Sequence, residues 1–457
     1  MAGWEDWERL IQKELRQRRE EGFAVDDRFE GVDVKNLGYP LAVAALWARF
    51  EALPKKTEYP FIEPDDLESI LPEDTIGLFS QRTIPFERFH GALLGRVIGC
   101  VLGKPLEVGP YFWESTKDNP GWKNVRKWFS GADQYPIRDY APSKSRASSE
   151  GLYLGCEKSQ KEHLRFVESD DDIRYTILSL ELLETKGWDF TAYDVGKLWH
   201  RLLPYQLLCT AETQAYLNFA QVTNHINPDN QPFTNEAADY VRTYWNPYRE
   251  WIGAQIRIDG YAYAAAGDPI FAARLAYRDA SFSHVKNGVY AAMFFSALIA
   301  QAFVEKDVLR CVQTALGVVP KTSRLYRYLQ RTIDLATRID DLEALMEGVW
   351  DYLLDYDPAH SINNACICVA SILYGNGDFT TSIGTAVAFG LDTDCNGATV
   401  GSFVGALVGE TGIADHWKEP LHDTILSEIA SYHPVSIREL AVRYHRLCGQ
   451  RIEANAR

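Results

Sequence analysis

Gly390-Leu391-Asp392-Thr393-Asp394-Cys395-Asn396-Gly397 joins a tight acidic turn to a run with glycine at every fourth position: Gly397, Gly401, Gly405 and Gly409. An earlier stretch carries the same ladder, Gly91, Gly95, Gly99 and Gly103, and ends at Lys104-Pro105-Leu106-Glu107. Residues four apart share one helix face. Glycine inside a helix is worse than alanine by about 1 kcal/mol, so two such ladders make sense where backbones approach a neighbour closely. The two runs are therefore expected to form core helices that hold the flanking acids rigidly. Glycine at this spacing also occurs between membrane helices, but His90, Arg96 and Lys104 interrupt the first run, and Asp392, Asp394 and Asn396 abut the second.

The 457 residues carry 46% apolar side chains, with 12 Trp, 24 Tyr and 21 Phe, enough for a large core. A formal charge of −16 argues against nucleic acid or an anionic membrane as the main partner and favours a cation. Eight cysteines are scattered without a C-x-x-C pair, which suits reduced thiols, and Cys366 and Cys368 read as core. The first residues have neither the basic start nor the apolar stretch of a secretory signal, and no segment offers eighteen uninterrupted apolar residues. The expectation is a soluble, cytoplasmic protein.

Helical spacing dominates the rest. Trp4, Trp7, Leu10, Ile11 and Leu15 form one apolar stripe, and Ala42 to Leu53 is a second helix. Prolines 60, 64, 72 and 85 mark a connector, dividing the chain into a helical extension with linker at 1–85 and a main domain at 86–457. Pro110 to Glu162 shows no sustained period and reads as a long ordered loop with one short helix. Helical patterns then recur from Ile173 to Phe389, which predicts an all-α, compact, orthogonal multi-helix domain.

A second acidic cluster, Glu168-Ser169-Asp170-Asp171-Asp172, directly precedes a helical run. Acids in a first helical turn cap free N–H groups and suit the helix dipole. Three consecutive aspartates repel one another, and a bound cation relieves that repulsion. Asp392, Asp394, Asn396 and Gly397 match the first half of a calcium-binding loop, but Phe403 stands where its twelfth-position glutamate belongs. Five aspartates in two clusters, each opening a helix, with Glu107 closing a third, are oxygen ligands suited to Mg2+, Mn2+ or Ca2+ rather than zinc.

From about Phe86 to Gly412 the chain resembles the ADP-ribosylglycohydrolase family. The segment from Gly91 to Glu107 is similar to the family's opening segment, Asp170-Asp171-Asp172-Ile173-Arg174-Tyr175-Thr176 to its Thr-Asp-Asp-Thr segment, and Asp392-Thr393-Asp394-Cys395 to its closing Asp-Thr-Asp-Thr turn. Weaker echoes are Gly253 to Asp259 and Ser283-His284. The resemblance implies a metal-dependent glycosidase that cleaves an N- or O-glycosidic bond at the anomeric carbon of ribose or ADP-ribose. The acceptor would be a protein side chain or a small metabolite, and the cofactor one or two Mg2+ ions, with Mn2+ an alternative. Carried across, Asp170, Asp171, Asp172, Asp392, Asp394 and Cys395 take metal-ligand positions, Glu107, Asp171 and Asp172 are the catalytic candidates, and Arg257 and His284 the substrate-binding ones. Asp170 and Cys395 each replace a family threonine, and Cys100 a common aspartate, which marks a divergent member. Two alternatives are a non-catalytic metal-binding relative and a Mg2+-dependent terpenoid cyclase. The cyclase is disfavoured because Tyr175 breaks a D-D-x-x-D motif.

Overall fold

The computed structural model describes residues 5–25, 29, 40–73, 75, 83–223 and 233–455. Among them are twenty α-helices and two paired two-residue strands, Thr424–Ile425 and Val435–Ser436, so the protein is all-α. Trp4 of the predicted first stripe lies outside the described residues.

Both glycine runs are helical, Phe86–Gly103 and Thr393–Val408, and they pack on each other at the centre of the molecule. A Cβ built on Gly95 would fall 1.9 Å from the Gly401 carbonyl oxygen, and one on Gly99 would fall 1.9 Å from that of Gly397. The relation is reciprocal. A Cβ on Gly401 would sit 2.1 Å from the Gly95 oxygen, and one on Gly405 would sit 2.1 Å from the Gly91 oxygen. Backbone therefore meets backbone along about three helical turns, from Gly91 to Gly103. At the top of the pair, Thr393 Oγ1 donates to the Gly103 carbonyl at 2.9 Å, pinning the start of one helix to the end of the other. Gly390 turns the chain into the second helix at φ +73°, a left-handed conformation suited to glycine.

The other helices wrap this pair. Lys286–Ala302 and Ser361–Gly375 are buried along nearly their whole length, which is why neither shows a clean polar face in sequence. The acidic helix is Asp171–Lys186, and its N-terminus reaches the first ladder helix through Arg96. The stretch expected to be mostly loop contains an eleven-residue helix, Gly121–Gly131, and two short 3-10 turns. Its apolar side chains Trp122, Val125, Trp128 and Phe129 face inward, so this helix packs as core.

The helix Trp7–Glu20 lies against the body. Asp6 caps it by accepting from the Arg9 backbone N–H at 2.8 Å, and Leu10, Ile11 and Leu15 form the buried stripe. Its acids enter buried ion pairs with the main domain. Arg249 binds Glu14 at 2.8 Å and Glu21 at 3.0 Å, and Gln17 donates to Glu250 at 2.7 Å. In the connector, Glu63 pairs with buried Arg324 at 2.8 Å.

The ladder contact gives a direct expectation. Gly95→Ala or Gly99→Ala forces two backbones apart, and overpacking of this kind costs about 3 kcal/mol or more. Gly449→Ala, in the helix Ile437–Asn455 with nothing within 4 Å of its Cβ position, should be neutral or stabilising by about 1 kcal/mol. Thermal denaturation of the three variants checks this, and equal melting temperatures for Gly95→Ala and Gly449→Ala would contradict it.

Candidate active site

Two helices begin at the same place. Thr393–Val408 starts just after Asp392, and Asp171–Lys186 starts just after Asp170, so the positive ends of both helix dipoles point at the acids gathered there. The two starts use their acids differently. Asp170 caps its helix, accepting from the Asp172 backbone N–H at 3.0 Å, and its other oxygen accepts from Lys104 Nζ at 2.7 Å. Asp392 makes no side-chain cap bond. Asp392 Oδ1 and Asp394 Oδ1 are buried without a hydrogen-bond partner.

These acids line a cavity of about 470 Å³. Glu107, Asp171, Glu212, Asp392, Asp394 and Cys395 contribute its polar surface, and Phe112, Trp113, Trp251, Ile252 and Ile256 much of its apolar wall. Glu107 is open to this space. One ligand oxygen from each of Glu107, Asp392 and Asp394 lies within 4.8 Å of the others. Three hard oxygen donors, two of them buried with a free oxygen, fit a divalent cation such as Mg2+ or Mn2+.

Of the neighbouring acids, Asp170 and Asp172 are already paired with protein cations. Buried Arg96 donates to Asp172 Oδ1 at 2.8 Å and to the Asp172 carbonyl, and its Nη1 lies 3.4 Å from Asp259. Cys395 Sγ donates to Asp172 Oδ2 at 3.1 Å, so both Asp172 oxygens have partners and neither Asp172 nor Asp170 faces the cavity. A second cluster of Asp172, Asp394 and Cys395 is close enough to surround an ion, but it offers a thiol and a carboxylate bound to guanidinium, a poor set for Mg2+.

Electrostatics follow from this crowding. Burial raises Asp394 to about 7, with Asp170 adding to the effect, and raises Asp171 to about 6, again with Asp170 adding. Glu107 and Asp392 are raised well above the ordinary carboxylate range by desolvation and then by Asp394. For Asp170 burial pushes the same way, but the Lys104 ammonium outweighs it and the net shift is downward.

The expected substrate-binding residues lie behind the cavity wall. Arg257 is buried, with Nε 2.6 Å from Asp279 and Nη1 2.6 Å from Glu212, and both bonds tie the guanidinium to protein acids. His284 is buried, its Nδ1 2.8 Å from Ser283 Oγ and its Nε2 4.0 Å from Glu212; desolvation lowers its pKa well below the usual value. Both residues border Glu212, which does line the cavity and which burial raises to about 7 against the pull of Arg257. Glu212, Cys209, Trp251, Glu5 and Lys13 are cavity residues that sequence reasoning missed. Glu212 is a single acid in the small, polar run Thr210-Ala211-Glu212-Thr213, which carries no chemical signature. Of the aromatics in the Pro110 to Glu162 segment, Trp113 and Phe112 line the cavity, whereas Tyr111 and Tyr140 are buried.

The profile of the ADP-ribosylglycohydrolase family matches residues 81–453. The chain belongs to the ADP-ribosylglycohydrolase family. It is therefore an enzyme of the glycoside-hydrolase kind, and family membership sets aside the terpenoid-cyclase alternative. A solved structure described as an ADP-ribosylglycohydrolase-related protein complex is 19% identical, covers 79% of this chain and 98% of its own, and superposes with a TM-score of 0.48. No curated protein matches the chain. Among the described residues no helix is long and apolar enough to cross a membrane. The acids and the glycine ladders lie inside the family match, whereas Glu5 and Lys13 lie outside it.

The raised carboxyls set a pH dependence. An aspartate in an unfolded chain titrates near about 3.9, whereas Asp171 and Asp394 hold their protons to about 6 and 7 in the folded protein. Between those values the folded state binds more protons than the unfolded one, so these groups lower stability as pH rises. A cation at the cluster must displace those protons and so binds more tightly at higher pH. The rise in melting temperature on adding millimolar Mg2+ is expected to be larger at pH 8 than at pH 5.5, and a larger rise at the lower pH would contradict the assignment.

Proposed function

We propose that the protein is a metal-dependent hydrolase that cleaves the N- or O-glycosidic bond at the anomeric carbon of an ADP-ribosyl or ribosyl group. The observation that carries this reading is the pair of buried, unsatisfied oxygens on Asp392 and Asp394 beside Glu107, at the floor of a cavity large enough for a ribosylated substrate. Asp392 and Asp394, with Glu107 at their side, would hold a divalent ion. When bound, that ion would supply positive charge that acidifies water and orients ribose hydroxyls.

Glu107 is the general base in this scheme. All three acids of the trio line the cavity, and Glu107 is the most exposed of them, with desolvation raising its proton affinity. The water oxygen bonds to the anomeric carbon as the bond to the leaving nitrogen or oxygen breaks. Glu107 takes one proton from the water and passes it to the leaving nitrogen or oxygen, so the step consumes no net proton. Asp171 faces the same cavity and is the second titratable acid available to the reaction. Asp172 and Arg96 act as a positioning pair that fixes the start of the acidic helix against the first ladder helix. Trp113 and Trp251 offer flat apolar surfaces to the remainder of the substrate.

The test is release of ribose or ADP-ribose from ADP-ribosyl-arginine, ADP-ribosyl-serine and simple ribosides, with and without Mg2+. Metal-dependent release from at least one substrate is expected. Glu107→Gln should lower kcat by about 10²–10⁴-fold while keeping most of the Mg2+-induced rise in melting temperature, and Asp394→Asn should lose both. Release that ignores chelation, or full activity in Glu107→Gln, would contradict the scheme; silence across the panel with Mg2+ binding intact would favour a non-catalytic relative.

A further inference from the structure

The helix Trp7–Glu20 and the residue preceding its cap supply part of the cavity wall. Glu5 and Lys13 both line the cavity, and both precede the family match, which starts at residue 81. Among the described residues that line the cavity, Lys13 is the one basic side chain, against six acids: Glu5, Glu107, Asp171, Glu212, Asp392 and Asp394.

Its ammonium is held from several sides. Nζ lies 3.1 Å from Glu5 Oε1, 4.5 Å from the centroid of the Trp251 ring and 5.2 Å from that of Tyr248. The Glu5 side chain is 5% exposed, whereas that of Lys13 remains 29% exposed. An ammonium has three N–H donors; Glu5 takes one, and the ring faces hold the charge through its attraction to their π-systems.

The element carrying Lys13 is fixed. The buried bonds of Glu14, Gln17 and Glu21 with Arg249 and Glu250 anchor the helix from the residue after Lys13 to about two turns beyond it, and Trp7 packs edge-on against Trp245 at 5.1 Å. A charged group on a rigid helix at a cavity wall is placed for selective recognition.

We propose that Lys13 is a specificity-determining residue that binds a phosphate of the substrate, so that this chain selects phosphate-bearing ribosyl groups over neutral ribosides. The inference rests on the glycosidase reading of the same cavity. The acidic floor repels an anionic substrate, and a cation at the wall supplies the countercharge for its phosphates. Lysine is a suitable point charge for phosphate.

The test is calorimetric binding of ADP-ribose and of ribose to the full chain in Mg2+, comparing the parent, Lys13→Ala and Lys13→Arg, with melting temperatures to confirm folding. The parent should prefer ADP-ribose. Lys13→Ala should reduce that preference by about tenfold, the value of one charge-assisted hydrogen bond, and Lys13→Arg should restore most of it. In turnover the Lys13→Ala loss should appear in KM for an ADP-ribosyl substrate more than in kcat. An unchanged preference in Lys13→Ala, an equal loss for both ligands, or a parent that does not prefer ADP-ribose would overturn the proposal. Hydrolysis of neutral ribosides alongside any of those results would leave the glycosidase reading standing, whereas a parent that neither binds nor cleaves any ribosyl compound would remove both.

Discussion

The direct backbone contact between two glycine-lined helices is the constraint on which the rest of the molecule depends. Because no side chain separates Gly91, Gly95 and Gly99 from Gly397, Gly401 and Gly405, the two helices cannot slide or rotate without carbonyl oxygens meeting Cα atoms. The register is set at the top by Thr393 on the Gly103 carbonyl. That contact brings Glu107, a few residues past the end of one helix, beside Asp392 and Asp394 at the start of the other. Acids that would separate in a looser fold are thereby held close enough to share an ion.

Charge compensation then divides the acids into two groups. Lys104 and Arg96, both on the first ladder segment, take up Asp170 and Asp172. Among the described residues Glu107, Asp392 and Asp394 receive no such partner, which leaves them for a ligand. The division fits two of the departures from the family pattern that the sequence resemblance implies. An aspartate at 170 in place of threonine brings a negative charge, and Lys104 lies 2.7 Å away to meet it. A thiol at 395 in place of a hydroxyl donates to Asp172, a role that needs no hard oxygen.

Much of this was legible in the chain. The ladders announced a close helix pair because glycine repeated at helical spacing has few other uses, and both acidic clusters stood out because consecutive aspartates are unfavourable without compensation. The buried helices gave weaker signals, since a helix that is apolar all round has no polar face to mark its period. What stayed hidden was partnership across long sequence distances. Nothing near Arg257 indicates that its charge is taken by Glu212 and Asp279, and nothing near Lys13 indicates that it reaches a cavity built by residues far along the chain. Lys104 was visible only as the residue ending a ladder; its pairing with Asp170 required the fold.

The account's central claim is that helix packing leaves Asp392 and Asp394, with Glu107 beside them, as an oxygen site for a divalent ion that no protein cation compensates among the described residues. Anomalous diffraction from crystals of the full chain grown in Mn2+ tests it most directly. The prediction is a peak at about 2.1–2.2 Å from carboxylate oxygens of Asp392 and Asp394, with Glu107 beside it. A peak confined to Asp170 and Asp172, or no peak in the cavity at millimolar Mn2+, would contradict it.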